Sequence, residues 1–270
     1  GIGCLPNRNS DHQDPNLRVL GRIHSAKDLS DVLKSSRKAG FHNIGLDLIY
    51  GLPGQTKDAW IEDLKRALEF EPEHLSCYML TYEPGTPMER ACRNGTISPL
   101  TEEVVAVLFE TTIQFLETRG YKQYEISNFA RTNATRSRHN QKYWSLIPYI
   151  GLGPAAHSFK KTCRYWNHRS VKKYVQDLET HRLPVEDKEV LTKTQRIIEA
   201  LYLGLRTTSG IDRNRFEKTF GVCFQSLFGE VIADLTAKRY LKSSPAHCAL
   251  TPKGMLFHES ITAMLVDRIA

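Results

Sequence analysis

The feature that most constrains this chain is an apolar strand interrupted by a single carboxylate. Residues 44–50 read Ile-Gly-Leu-Asp-Leu-Ile-Tyr, with Asp47 in the middle. Short apolar runs of this kind form the buried strands of parallel sheets. Burying a carboxylate there costs free energy unless the group gains a hydrogen-bond or ionic partner. Asp47 is therefore either a core residue with such a partner or a ligand contact. The second reading suits a parallel barrel, where side chains near the carboxyl ends of strands face the ligand.

Apolar residues recur at helical spacing between such strands, which predicts β/α units around a parallel sheet. Helices are expected over residues 25–39, 57–70 and 101–119, and extended segments over 44–50, 74–82 and 121–127. Thr56 can cap the second helix, and Gly51 and Gly54 suit the sharp turn before it. Three β/α repeats are therefore predicted in the first half of the chain.

The second half has a different organisation. Residues 128–166 have no clean period and are expected to form functional loops around one short strand near 149–152, followed by a polar, helical connector over 171–190. Helices are predicted over 195–205, 213–220 and 227–238, with a last helix after 251–254. The expected domains are a barrel over 1–165, a connector over 166–190 and a small helical or winged-helix domain over 191–270.

Composition excludes several classes of protein. No apolar run approaches the roughly 20 residues that span a bilayer, and the beginning of the chain lacks a secretory pattern, so a soluble, cytoplasmic protein is predicted. The 6 cysteines include no close pair, which argues against a disulfide framework or a zinc site. The net charge of +7 would suit an anionic partner, but the basic residues are spread out, which favours a solvated face.

The irregular middle contains a cluster of residues that could bind a tetrapyrrole. The candidates are Glu125, Arg138, His139, Asn140, Tyr143, Trp144 and His157. A neutral imidazole can ligate haem iron, aromatic rings can cover a porphyrin face, and Arg138 could pair with a propionate. A packed corner is the alternative interpretation. Near the beginning of the chain, Arg22 could meet an anionic ligand with its bidentate fork, or be an ordinary exposed arginine.

Several strings occur in a fixed order along the chain. They are Leu-Gly-Arg-Ile-His at 20–24, Asp-Leu-Ile-Tyr-Gly-Leu-Pro-Gly-Gln-Thr at 47–56, Glu-Pro-Gly-Thr-Pro at 83–87, Tyr-Glu-Ile-Ser-Asn-Phe-Ala at 124–130, His-Asn-Gln-Lys-Tyr-Trp at 139–144, and Gly-Leu-Gly at 151–153 followed by Ala-His-Ser at 156–158. Together they resemble the HemW-type, HemN-related radical S-adenosylmethionine family from about residue 17 to the end. The string at 139–144 resembles the HemW type more than it resembles the related HemN oxidases.

This resemblance implies an α/β fold: a partial radical-SAM (β/α)6-type barrel lacking its first strands, then a HemN-like, winged-helix-like C-terminal domain. Family members bind a [4Fe–4S] cluster and S-adenosylmethionine, and HemW members bind haem as chaperones. By position, Arg22 and Asp47 match S-adenosylmethionine contacts, and Thr81 is a weaker match. The implied partners are haem, with His139 the first ligand to test, and a haem-acceptor protein. Nucleic acid is not expected, and any membrane contact would be peripheral, through the acceptor.

The chain departs from the family at the cluster. The Cys-x-x-x-Cys-x-x-Cys loop does not occur in the sequence, and Cys4 alone cannot anchor a cluster. A fragment, an alternative product or a mis-joined gene model is favoured over a cluster-free paralogue, because a barrel without its first strands exposes apolar edges. Such a chain is expected to be inactive alone, unless another chain supplies the missing half.

Two other functions remain open at this point. The parent protein could be a HemN-like coproporphyrinogen dehydrogenase that decarboxylates propionates. The C-terminal domain could also be a basic nucleic-acid module, although residues 227–238 lack the clustered lysines and arginines that such a helix needs.

Overall fold

The computed structural model describes residues 26–269, which divide into two compact units between Ser137 and Arg138. The helices and strands of the first unit are α1 (Ala26–Lys38), β1 (Gly45–Tyr50), α2 (Lys57–Glu69), β2 (His74–Met79), α3 (Pro87–Arg93), α4 (Glu102–Glu117), β3 (Lys122–Glu125) and β4 (Asn128–Ala130). A short 3-10 turn, Asn133–Thr135, follows β4. The helices and strands predicted over residues 25–127 correspond to α1, β1, α2, β2, α4 and β3, whereas α3 was not predicted.

The sheet of the first unit has the order β1-β2-β4-β3. Strands β1 and β2 are parallel, in a register that pairs Asp47 with Ser76. The prediction of a third parallel repeat is wrong in its detail, because the extended segment at 121–127 leads into a hairpin and β4 runs antiparallel to both of its neighbours. The two residues between β3 and β4 are too few for the crossover that a parallel pair requires. The sheet is accordingly small and not closed, as expected for a partial barrel.

The two faces of β1 differ in burial, which fixes the register of the sheet. Leu46, Leu48 and Tyr50 are buried, whereas Gly45, Asp47 and Ile49 are half-buried. Because side chains alternate along a strand, these sets lie on opposite faces of the sheet. The carboxylate of Asp47 is therefore on the face opposite the leucines.

Helices α2 and α4 pack against each other in the core of the first unit. The Trp60 indole of α2 is buried and donates to Thr112 Oγ1 of α4 at 2.7 Å. Thr56 caps α2 by accepting from Ala59 N at 3.2 Å, as predicted. This hydrogen bond gives the buried indole N–H a partner in place of the water that burial removes.

The second unit contains two further sheets. Its elements are α5 (Arg138–Trp144), β5 (His157–Lys160), β6 (Cys163–Asn167), α6 (Val171–Glu179), β7 (Val185–Val190), α7 (Lys193–Leu205), β8 (Ile211–Asp212), α8 (Arg213–Phe220), α9 (Phe224–Ala237), β9 (Leu241–Ser243), β10 (His247–Leu250), α10 (Pro252–Met255) and α11 (His258–Val266). The helices predicted from Gln195 onward correspond to α7, α8, α9 and the last helices.

An antiparallel sheet, β5-β6-β7, replaces much of the predicted loop and connector. The expected strand near 149–152 is reduced to a single bridge between Tyr149 and Phe159. The helical connector is α6 alone, after which β7 is extended. Strand β7 reads Val-Glu-Asp-Lys-Glu-Val and buries none of its side chains, so it lacks the apolar alternation by which strands are predicted.

The C-terminal elements form a winged-helix arrangement, as predicted. Their order along the chain is α7, β8, α8, α9, β9, β10, and the sheet order is β8-β10-β9. Phe216, Phe224 and Phe228 meet at ring-centroid distances of 5.0 to 6.0 Å and angles of 63 to 82° in the core. The domain bounds 1–165, 166–190 and 191–270 stay a prediction.

No helix between residues 26 and 269 is both long and apolar enough to cross a membrane.

Candidate functional site

Four polar side chains stand in register across the sheet of the first unit. Asp47 on β1 pairs with Ser76 on β2, Ser76 with Asn128 on β4, and Asn128 with Glu125 on β3. We call these four residues the polar row. Because register partners lie on the same face of a sheet, the row runs across the face opposite Leu46. It ends at Asp47, the one member that is half-buried rather than buried.

Hydrogen bonds connect three members of the polar row. Ser76 Oγ donates to Asn128 Oδ1 at 3.1 Å, and Asn128 Nδ2 donates to Glu125 Oε2 at 2.5 Å. The backbone N–H of Ser127 donates to the same carboxylate oxygen at 3.0 Å. Donors of this kind compensate part of the desolvation cost of a buried carboxylate. The side chains of Ser76, Asn128 and Glu125 are therefore held in fixed positions.

A histidine–tyrosine pair lies beside the polar row. His74 Nε2 and Tyr124 Oη are 2.6 Å apart, and Ser137 N–H donates to the same hydroxyl at 3.1 Å. Burial lowers the pKa of His74, although the charge of Asp47 opposes this shift. Burial also raises the pKa of Tyr124 to about 12. A neutral imidazole accepting from the phenol satisfies both groups.

The loop after β1 contains two glycines that let the chain turn sharply. Gly51 and Gly54 adopt φ values of +81° and +73°, which glycine adopts at little cost. The side chain of Gln55 holds the turn, since its Oε1 accepts from Gly51 N at 2.8 Å. The amide of Gln55 also donates to the buried Asp63 at 3.4 Å. The predicted turn residues thus fix where the chain leaves the strand that carries the carboxylate.

The other predicted cofactor contacts lie apart from the polar row or outside the described residues. Thr81 is exposed and follows the end of β2 by two residues. Arg22 lies outside the described residues, so its meeting with Asp47 stays a prediction. The half-buried carboxylate fits a ligand with hydroxyl or ammonium donors, because it can accept from either.

The described residues do not provide ligands for an iron–sulfur cluster. Within 26–269, no group of three or more His, Cys, Asp or Glu side chains could hold a metal ion. Cys77, the cysteine nearest the polar row in sequence, is fully buried, and this burial raises the pKa of its thiol, with the charge of Asp47 adding to the effect. A thiol held protonated is a poor ligand, since metals bind the thiolate.

Most haem candidates of the second unit lie on α5, whereas His157 lies on β5 and its ring is 5.6 Å from that of Trp166. Arg138 and His139 are exposed, whereas Tyr143 and Trp144 are half-buried. The His139 ring meets the Tyr143 ring edge-on, with centroids 4.8 Å apart, and Tyr143 meets Tyr149 at 4.6 Å. His139 and Tyr143 are thus brought together, one turn apart on the same helix.

Comparison with known proteins gives a consistent result. The model of the HemN C-terminal domain matches residues 191–257. The "Heme chaperone HemW" of Bacillus subtilis is 34% identical over 249 residues, which are 92% of this chain and 65% of the relative. That of Lactococcus lactis is 34% identical over 88% of this chain and 62% of its own length. Over most of its length, the chain is similar to HemW-type proteins of the radical SAM family.

Similar proteins also occur in animals. The "Radical S-adenosyl methionine domain-containing protein 1, mitochondrial" of Danio rerio is 30% identical over 94% of this chain and 58% of the relative. This chain therefore spans less than two thirds of the length of these curated relatives.

A solved structure supports the fold. Coproporphyrinogen III oxidase (HemN) from Escherichia coli, described as a radical SAM enzyme, superposes with a TM-score of 0.72 at 22% identity, covering 98% of this chain and 63% of that one. At this identity the likeness shows the fold of this chain and does not extend to the oxidase activity.

Sequence reasoning missed His74, Ser76 and Asn128 as site residues. His74 and Ser76 are two residues apart in a predicted strand, so they could have been placed on one face. The face that they share with Asp47 depends on the register between β1 and β2, which the sequence does not state.

Proposed function

We propose that this chain contains the haem-binding surface of a haem chaperone that delivers haem to an acceptor protein. The observation that carries the proposal is the exposed imidazole of His139, held edge-on by Tyr143 on α5. Relatives that are 34% identical are named heme chaperones, which supports the same assignment. A cytoplasmic location remains a prediction.

The exposure of His139 suits transfer rather than retention. Haem supplies an iron with an open axial position, and an imidazole nitrogen of His139 is the proposed ligand. Tyr143 limits the orientations of the His139 ring. A ligand held on one exposed helix remains accessible to a second protein, as a chaperone requires.

Haem binding tests the proposal directly. We expect hemin to give a Soret shift and a pyridine haemochrome spectrum with the wild-type chain, and His139→Ala to weaken binding at least tenfold. His42→Ala is the matched control, because His42 is also exposed and lies in the first unit. Equal binding by wild type and His139→Ala would remove the ligand assignment, and no binding by the wild type would contradict haem binding as a whole.

We further propose that Asp47 contacts S-adenosylmethionine, together with Arg22 and Thr81. Its carboxylate would accept from the ribose hydroxyls or the ammonium group of the cofactor. The cluster that family members use has no ligand set among the described residues, so no reaction is assigned to this chain.

The nucleic-acid alternative is not supported. Helix α9, the second helix of the winged-helix pair α8–α9, carries Glu230 and Asp234 and no lysine or arginine within Phe224–Ala237. A helix of this charge would repel phosphates.

A further inference from the structure

A cavity of about 340 Å³ lies within the second unit, lined by the end of α5, β5 and the winged-helix elements α7, β8 and α8. Its apolar wall includes Trp144, Leu146, Phe159, Phe216 and Phe220. Small-molecule sites occupy roughly 300–1,000 Å³ and combine an apolar lining with a few polar groups. The cavity is at the small end of that range, so it suits part of a large flat ligand better than the whole of one.

The charged residues of the cavity leave an excess of positive charge. Lys161, Arg196 and Arg215 are basic, and Glu199 and Asp212 are acidic. The two acids already have partners. Glu199 forms an ion pair at 2.8 Å with Arg164, which is not among the lining residues. Asp212 caps α8, because its Oδ1 accepts from the backbone N–H of Arg215 at 2.9 Å. The cavity therefore favours an anionic ligand.

Both arginines are held in place by contacts that leave donors available. The Arg196 guanidinium lies over the Phe220 ring, 5.4 Å from its centroid. Arg215 donates through Nη2 to the Ser145 carbonyl at 2.9 Å. A guanidinium has five N–H donors and binds carboxylates in a bidentate manner, so each arginine retains the capacity to bind an anion.

A series of ring contacts connects the cavity to His139. The rings of His139, Tyr143 and Tyr149 are in successive contact, and Tyr149 meets Phe159 of the cavity wall at 6.3 Å. Trp144 also belongs to that wall and lies five residues after His139 on α5, about 7.5 Å along the helix axis.

We propose that the cavity receives the carboxylate-bearing edge of haem while His139 holds the iron, with Arg196 and Arg215 pairing with the propionates. The inference rests on the proposed haem binding and adds an orientation to it. It assigns the propionates to the cavity arginines rather than to Arg138, which lies on the exposed surface of α5. No covalent step is involved.

The experiment compares hemin with hemin dimethyl ester, in which both carboxylates are neutral. Soret titrations of the full chain should give a wild-type preference for hemin of at least tenfold, or 1.4 kcal/mol. Arg196→Gln should weaken hemin binding about tenfold and leave ester binding unchanged, so that the preference falls. Arg215→Gln should do the same. Arg169→Gln is the control, since Arg169 is exposed and lies outside the cavity lining. This substitution removes the same positive charge as the two test variants.

The outcomes separate this inference from the proposed function. Equal binding of hemin and its ester by the wild type, or an unchanged preference in Arg196→Gln, overturns the orientation while leaving His139-dependent binding intact. Failure of the wild type to bind hemin overturns both. If Arg215→Gln does not fold because it loses the bond to Ser145, Arg196→Gln decides alone, because the contact that holds Arg196 is a ring contact rather than a bond to the backbone.

Discussion

The candidate sites of the two units are built in opposite ways. In the first unit, Ser76, Asn128 and Glu125 are buried and bonded to one another, and Asp47 extends this arrangement to a half-buried edge. In the second unit, His139 is exposed on a short helix and held by a ring contact. A buried polar network presents one rigid geometry, which suits a small cofactor, whereas an exposed aromatic surface suits a ligand that must be passed on.

The largest expected effect breaks the buried network. Asn128→Ala removes the bonds to Ser76 and Glu125 and leaves a buried carboxylate with fewer donors, so the free energy of unfolding should fall by about 3 kcal/mol. Urea unfolding measures the change. Asn133→Ala, at an exposed position, should change it by less than about 0.5 kcal/mol. Equal losses in the two variants would mean that the polar row contributes nothing particular to stability.

The next effect concerns the half-buried end of the polar row. Asp47→Asn should weaken S-adenosylmethionine binding by about tenfold, or 1.4 kcal/mol, because an amide replaces a charged acceptor. Isothermal titration measures the affinity. Asp31→Asn is the control, since Asp31 is an exposed acid of α1. Unchanged affinity in Asp47→Asn would end the proposed cofactor role of this residue.

A pH dependence follows from the burial of His74. Its folded-state pKa is lowered from the ordinary value of 6.5, so the unfolded chain binds more protons below that pH. Stability should be retained above pH 6.5 and fall as the pH drops below it, by at most about 1.4 kcal/mol per pH unit. Chemical unfolding at several pH values should show a smaller fall for His74→Gln than for His42→Gln. The same slope in both variants would assign the dependence to other groups.

The smallest effect on the free energy of unfolding is expected at the exposed site of the second unit. His139→Ala should change the free energy of unfolding by less than about 0.5 kcal/mol, because the side chain is exposed, while haem binding weakens at least tenfold. Thermal unfolding without haem measures the first quantity. A loss of 2 kcal/mol or more would show that His139 is a structural residue and that the two sites are built alike.

The parts of the fold that the sequence predicted are those with a strong local signal. Helices α2 and α4 have apolar faces and threonine caps, and β1 is a continuous apolar run broken only at Asp47. Strand β7 lacked such a signal because all its side chains are exposed or half-buried. The hairpin β3–β4 was missed because the sequence does not state with which strand a segment pairs.

The candidate sites divide in the same way. Asp47 and His139 could be singled out because a charge in an apolar strand and a histidine among aromatic residues are visible locally. The arginines of the cavity could not, because Arg196, Arg215 and Phe159 are distant in sequence and meet only when the second unit folds.

The position of β1 at the border of its sheet determines where the sheet could be extended. Within the described residues, β1 pairs with β2 alone, so the outer row of its backbone N–H and C=O groups is not used by another strand of this sheet. Such a border is a template for β-strand addition from a further polypeptide. A polypeptide segment that pairs beside Gly45–Tyr50 would extend the sheet from this side.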